Sequence, residues 1–158
     1  MNVEPNTGYT TNISNSVPFV ELHQSFASHV ACISPTVDQL MQFIKRFMGK
    51  VGAGKDAEHN IEVAIHEALA NAVMHGNHED PWKQVSVTCR CCLDGEVLIT
   101  VRDEGLGFDF RAVNDPSESH RRLLPNGRGL LLMRTVMDEV SFEENGTVVR
   151  MRRRMKPQ

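Results

Sequence analysis

The sequence predicts an α+β fold, a two-layer sandwich in which helices cover one face of a mainly antiparallel mixed sheet. Three observations carry this. Asp94-Gly95 and Asn145-Gly146 each sit between two β-rich runs, and such dipeptides are strong hairpin signals, so neighbouring strands run antiparallel. Three stretches carry apolar residues at helical spacing, and each must bury that face against something. The element order is β-α-α-β-β-loop-α-β-β, which leaves four or five strands as the platform for the helices.

Taken in order, residues 1–17 are polar and aperiodic and read as a disordered tail. Residues 18–158 read as one domain, within the span a 158-residue chain ordinarily forms. Short alternating pieces in 18–32 hold the first strand. Ser34-Pro35 resembles a helix start, with Ser as N-cap and Pro at the first helical position. Val37, Leu40, Met41, Ile44 and Phe47 then define a helix over 35–48. A second helix runs over 57–77, with Ile61, Ile65, Ala68, Leu69, Ala72 and Val73 on its apolar face. Strands follow at 84–93 and 96–102, then a long loop over 103–127, a third helix at 129–138, and strands at 139–144 and 147–154. The methionines at 41, 48, 133 and 137 fall at helical positions that suit the core or a partner groove, the core being the favoured reading.

Composition narrows the function. Apolar residues are 41%, charged residues 23% and net charge −3, so no basic field advertises nucleic acid. No apolar run reaches the roughly 20 residues of a membrane helix. The N-terminus has neither the basic nor the apolar region of a signal peptide, which points to the cytoplasm. Of the four cysteines, Cys89 and Cys91 fall on one face of a strand and Cys92 on the other, with no metal-binding spacing. Arg150 to Lys156 is a basic run, but its arginines alternate with apolar residues as on a polar strand face. Gly49 to Asp56 nearly matches the phosphate-binding P-loop. It fails because Asp56 replaces the required hydroxyl and because the loop follows a helix, not a strand.

Three clusters carry the chemistry. On the second helix, Glu67, Asn71 and His75 recur every four residues, and successive members rotate by only about 40°. A carboxylate, an amide and an imidazole on one stripe suit a metal and a proton transfer, and equally a polar helix edge. Asp103-Glu-Gly105-Leu-Gly107-Phe108 follows a strand. An acceptor carboxylate beside two close glycines suits an exocyclic amine such as that of adenine, or an ordinary strand-ending turn. Asn126-Gly127-Arg128-Gly129-Leu130 opens the third helix, where free backbone N–H groups and Arg128 suit phosphate, or a plain loop-to-helix joint.

In this order and on these elements, the three clusters resemble the N box and the two glycine boxes of the GHKL (histidine-kinase-like) ATPase superfamily. Asn145-Gly-Thr147 is similar to its further Gly-Thr element. The resemblance covers about 18–154. NAVMHGN and GRGLLLMRTVMDEVSF are most similar to the small stand-alone anti-sigma factor serine/threonine kinases.

The resemblance implies ATP and Mg²⁺ as cofactors and assigns roles. Glu67 would be the general base and Asn71 an oxygen ligand to Mg²⁺. Asp103 would accept the adenine amine, with Gly105 and Gly107 shaping the pocket. Gly127, Arg128 and Gly129, with Leu130 alongside, would hold the phosphates beneath a lid over 109–126. Thr147 would touch the adenine side. His75 either caps the helix or lies near a phosphate, and Arg121 and Arg122 in the lid are candidate contacts. The implied logic is partner switching by a cytoplasmic homodimer. It sequesters a sigma factor, or phosphorylates a serine on an anti-anti-sigma antagonist, without contacting nucleic acid or membrane. The alternative is a silent ATP- or ADP-sensing module that only sequesters its partner.

Overall fold

The computed structural model describes residues 6–12, 17–48, 55–109 and 127–155. Six strands form one sheet in the order β1-β2-β3-β4-β6-β5: β1 (Asn6–Asn12), β2 (Phe19–Ala27), β3 (Gln84–Cys92), β4 (Glu96–Asp103), β5 (Glu139–Glu143) and β6 (Val148–Arg154). Among the described residues every pairing is antiparallel. Helices α1 (Ile33–Met48), α2 (Lys55–Ala70) and α3 (Gly127–Val136) lie against one face.

Strict alternation builds that face. Val85, Val87, Cys89 and Cys91 of β3 and Val97, Ile99 and Val101 of β4 are buried among Leu40, Ile44, Ile61, Ile65 and Leu69 from the helices. Met41, Met48, Met133 and Met137 are buried too. Cys89 and Cys91 face this core, and the hydrogen bond with Cys91 together with burial pushes the Cys89 thiol well above its ordinary pKa. Buried thiols of this kind are inert packing residues.

The opposite face is polar and internally neutralised. Arg90 pairs with Glu21 at 2.8 Å, Arg150 with Glu143 at 3.0 Å, Arg152 with Glu139 at 2.9 Å and Glu96 at 3.4 Å, and Arg154 with Asp94 at 3.1 Å. Arg153 is turned the other way, donating to the Val136 carbonyl at the end of α3 and to Asp138. The arginines over 150–154 therefore serve cross-strand pairing and a helix end, as alternation suggested.

The structure departs from the sequence expectations at three points. Residues 6–12, expected within a disordered tail, form the edge strand β1, in register with β2 from Asn6↔Ser25 to Asn12↔Phe19. Its stability comes from ladder hydrogen bonds more than from burial, since Tyr9 is 73% exposed. The first helix begins at Ile33, after a 3₁₀ turn at Val30–Cys32. His29 caps that 3₁₀ turn, its ring accepting from the Ala31 N–H, and Ser34 lies inside the helix rather than at its cap. The helix expected over 57–77 is α-helical only to Ala70 and continues as a π-helical turn, Asn71–Gly76. The hairpin expected at Asn145-Gly146 does form between β5 and β6, turning through three left-handed residues, Glu144, Asn145 and Gly146 (φ 49°, 57° and 86°). The lid residues 110–126, with Arg121, Arg122 and Asn126, and most of the near-P-loop lie outside the described residues. No described helix is long and apolar enough to cross a membrane.

Candidate nucleotide site

Four backbone segments converge at one end of the sheet. They are the π-helical turn after α2, the end of β4 with Glu104–Phe108, the turn 144–147, and the start of α3. Together they line a cleft that is mostly apolar with a few convergent polar groups, the character of a small-ligand site. Its walls include Asn71, His75, Gly76, Asp103, Gly107, Phe108, Leu130 and Thr147 over a floor of Ala68, Val101, Met133 and Val149.

The π-helical turn decides how closely the walls approach. Gly76 lies directly against the carboxyl group of Asp103. A Cβ there would stand 2.5 Å from Oδ2 and 2.7 Å from Oδ1, so only glycine fits. Asp103 is held from two sides. Its N–H donates to the Thr147 carbonyl at 3.0 Å, and its Oδ1 accepts the Gly105 N–H at 2.8 Å. Burial raises its pKa from the usual carboxylate value, with the Gly105 N–H and Lys83 opposing that shift. The result is a half-buried acceptor facing an apolar cleft, suited to an amine donor.

The turn 144–147 closes the same end. Asn145 accepts the Phe108 N–H at 2.8 Å, and its carbonyl occupies the space a side chain on Gly107 (φ 79°) would need. The Phe108 ring meets Phe142 edge-on, with centroids 5.4 Å apart. Thr147 lines the cleft while its Oγ1 donates to the Glu144 carbonyl at 2.8 Å, leaving its lone pairs toward any donor. Arg102 forks onto Glu144, with Nη2 to Oε1 at 2.7 Å, and so ties this turn to β4.

The other end is made by α2 and α3. A Cβ on Gly129 would stand 2.6 Å from Glu67 Oε2 and 3.4 Å from Asn71 Nδ2. The carboxylate, the amide and the N-terminus of α3 are therefore brought together, although Glu67 and Gly129 are far apart in sequence. Leu130 is buried at the cleft wall, Arg128 is exposed, and Gly127 begins the helix. Free N–H groups at such a terminus favour anions.

Of the residues singled out in the sequence, Asn71, His75, Asp103, Gly107, Leu130 and Thr147 line the cleft. Gly105 holds Asp103 through its N–H, and Glu67 and Gly129 touch each other beside Asn71 without lining the cleft. Among the described residues no group of three or more His, Cys, Asp or Glu is placed to hold a metal. Gly76, Phe108, Asn145 and Asn77 also build the site. Gly76 and Asn77 lay within a motif already quoted, but only the π-helical geometry shows what each does.

The comparisons agree with this geometry. The model of the histidine kinase-like ATPase domain matches residues 34–153. The anti-sigma F factor of Heyndrickxia coagulans is 33% identical over 134 residues, covering 82% of this chain and 79% of that protein. The anti-sigma F factor of Bacillus subtilis is 32% identical over 132 residues, covering 79% and 76%. Among solved structures, that of the RsbU and RsbW domains of a Mycobacterium tuberculosis protein superposes with a TM-score of 0.58 at 19% identity. It covers 86% of this chain, which spans 32% of that longer one, and it supports the fold alone. On the extent of the family match and of the curated relatives, the chain belongs to the histidine-kinase-like ATPase family, in its anti-sigma-factor group.

Proposed function

We propose that this chain is an ATP-dependent anti-sigma regulatory factor and a protein serine/threonine kinase. It sequesters a sigma factor, or releases it to bind and phosphorylate an anti-anti-sigma antagonist. The relatives' anti-sigma names support the regulatory half. The observation that carries the kinase half is Glu67 beside Gly129 and Asn71, the last of which lines the same cleft as Asp103.

In this reading Asp103 accepts the 6-amino group of adenine, and Thr147 contacts the same end. The ring stacks over Val101, Met133 and Val149, and His75 closes the wall beside Asn71. The phosphates reach Gly127, Arg128 and Gly129 at the N-terminus of α3, whose N–H groups and guanidinium offset their charge. Glu67 takes the proton of the acceptor serine as its oxygen bonds to the γ-phosphorus and the bond to the ADP oxygen breaks. Mg²⁺ fits the donor set. Asn71 offers one neutral oxygen through its amide, and this ion keeps several waters and takes most of its remaining ligands from substrate phosphates. When bound it supplies charge neutralisation. We further propose a homodimer acting in the cytoplasm.

Phosphotransfer from labelled ATP to the antagonist tests the reading. Wild type labels a serine, and Glu67→Ala binds ATP without labelling it. Equal labelling by the variant removes Glu67 as base. No labelling by wild type at saturating ATP and antagonist leaves an ATP-sensing module that only sequesters.

A further inference from the structure

Asn77 follows the π-helical turn and is 0% exposed. All its polar groups are engaged, and they reach three different segments. Its N–H donates to the Ala72 carbonyl at 2.8 Å, and its carbonyl accepts from the Asp80 N–H at 3.1 Å. Its Nδ2 donates to the Gln84 carbonyl at 2.9 Å, at the start of β3. Its Oδ1 accepts the Glu104 N–H at 2.8 Å, in the residue directly after Asp103. The next N–H along, that of Gly105, holds Asp103 Oδ1 at 2.8 Å.

One buried amide thus fixes the peptide next to the one whose N–H orients the Asp103 carboxylate, and ties it to the turn carrying Gly76. We infer that Asn77 is a positioning residue for base selection, setting the Asp103 carboxylate so that the cleft takes a 6-amino purine and rejects a 6-oxo purine. The inference rests on the reading of Asp103 as the adenine acceptor. A carboxylate held in one orientation gains a hydrogen bond from an amine and faces lone-pair repulsion from a carbonyl. Released, it can turn aside, and the penalty against the oxo group goes with the gain from the amine.

A purely structural role predicts something different. Loss of folded protein lowers apparent affinity for every nucleotide by the same factor, which cancels in a ratio. The readout is therefore the ratio of ATP to GTP dissociation constants, measured by calorimetry with Mg²⁺ on the full chain. Wild type prefers ATP. Asn77→Ala reduces that preference about tenfold or more, the factor corresponding to one lost, well-oriented hydrogen bond. Asn77→Ser, which keeps a hydroxyl in the buried site, is read in the same assay in case the alanine variant does not fold. A preference unchanged from wild type in whichever variant folds overturns the proposal. Asp103→Asn separates the two layers of the inference. If it leaves the preference intact, the reading of Asp103 falls and the role of Asn77 with it. If it collapses the preference while the Asn77 variants keep theirs, only the role of Asn77 falls.

Discussion

The two ends of the cleft are built by different means. At the Asp103 end, backbone is locked to backbone, Asp103 to Thr147 and Phe108 to Asn145, while the Gly105 N–H holds the Asp103 carboxylate and Gly76 is wedged against it. At the Glu67 end, two side chains meet the start of one helix, and the segment leading into that helix lies outside the described residues. A rigid end suits recognition of a flat, invariant base. An end made of side chains and a helix terminus suits phosphates whose number and partner change during turnover. Binding and transfer should therefore be separable by mutation.

The largest effect should come from the Glu67 end. Glu67→Gln should cut phosphotransfer by about 10²- to 10⁴-fold, the usual worth of a general base. Nucleotide affinity should stay within a few-fold, because the variant is nearly isosteric. Single-turnover labelling beside calorimetry checks both. A parallel fall in affinity would erase the distinction between the two ends.

Next comes Gly76→Ala. The new methyl group meets the Asp103 carboxyl, which must shift, and overpacking of this kind costs about 1–3 kcal/mol. ATP should bind about 10- to 100-fold more weakly, while Gly8→Ala, with open space around it on β1, should leave binding unchanged.

The pH dependence sharpens the same contrast. Burial raises the Asp103 pKa in the free protein. An acid raised in the folded state makes folding less favourable as pH climbs from 3.8 through the raised value, because the native protein then gives up a proton it holds more tightly than the unfolded chain does. Nucleotide binding runs the other way, since an amine donor needs the ionised carboxylate. ATP affinity should therefore weaken as pH falls through that raised value, and a titration of affinity against pH on Asp103→Asn should lack the step.

The smallest effect should be at Arg102 and Glu144. Their pair is half exposed, at 48% and 55%, and solvent-screened pairs of this kind contribute little. Arg102→Ala should lower the melting temperature by at most a few degrees and ATP affinity by about fivefold or less. A larger loss would mean that the turn 144–147 is held by this fork and not by its own backbone contacts.

The same division explains what could be read from residues alone. Hairpin dipeptides and alternation located β3, β4, β5 and β6, because both signals are local. Asp103, Gly107 and Thr147 were legible as motif members, and the structure places all three on the cleft wall. The edge strand β1 was not legible, because a run such as NTGYTT buries almost nothing and gains its order from pairing with β2. The π-helical turn was not legible either. A 3.6-residue period extends smoothly through Asn71–Gly76, and nothing local marks where the winding changes. Asn77 escaped notice for a related reason, since its polar side chain gives no sign of burial until Gln84 and Glu104 are seen around it.

Thermal unfolding with and without Mg²⁺ and ATP, on wild type, Asp103→Ala and Glu67→Ala, tests the separation of binding from transfer most directly. At about 100 times its dissociation constant, nucleotide adds roughly 2.7 kcal/mol to the native state, several degrees in melting temperature for a domain of this size. The predicted result is a shift in wild type and in Glu67→Ala and none in Asp103→Ala. A shift that persists in Asp103→Ala, or one that vanishes in Glu67→Ala, contradicts it.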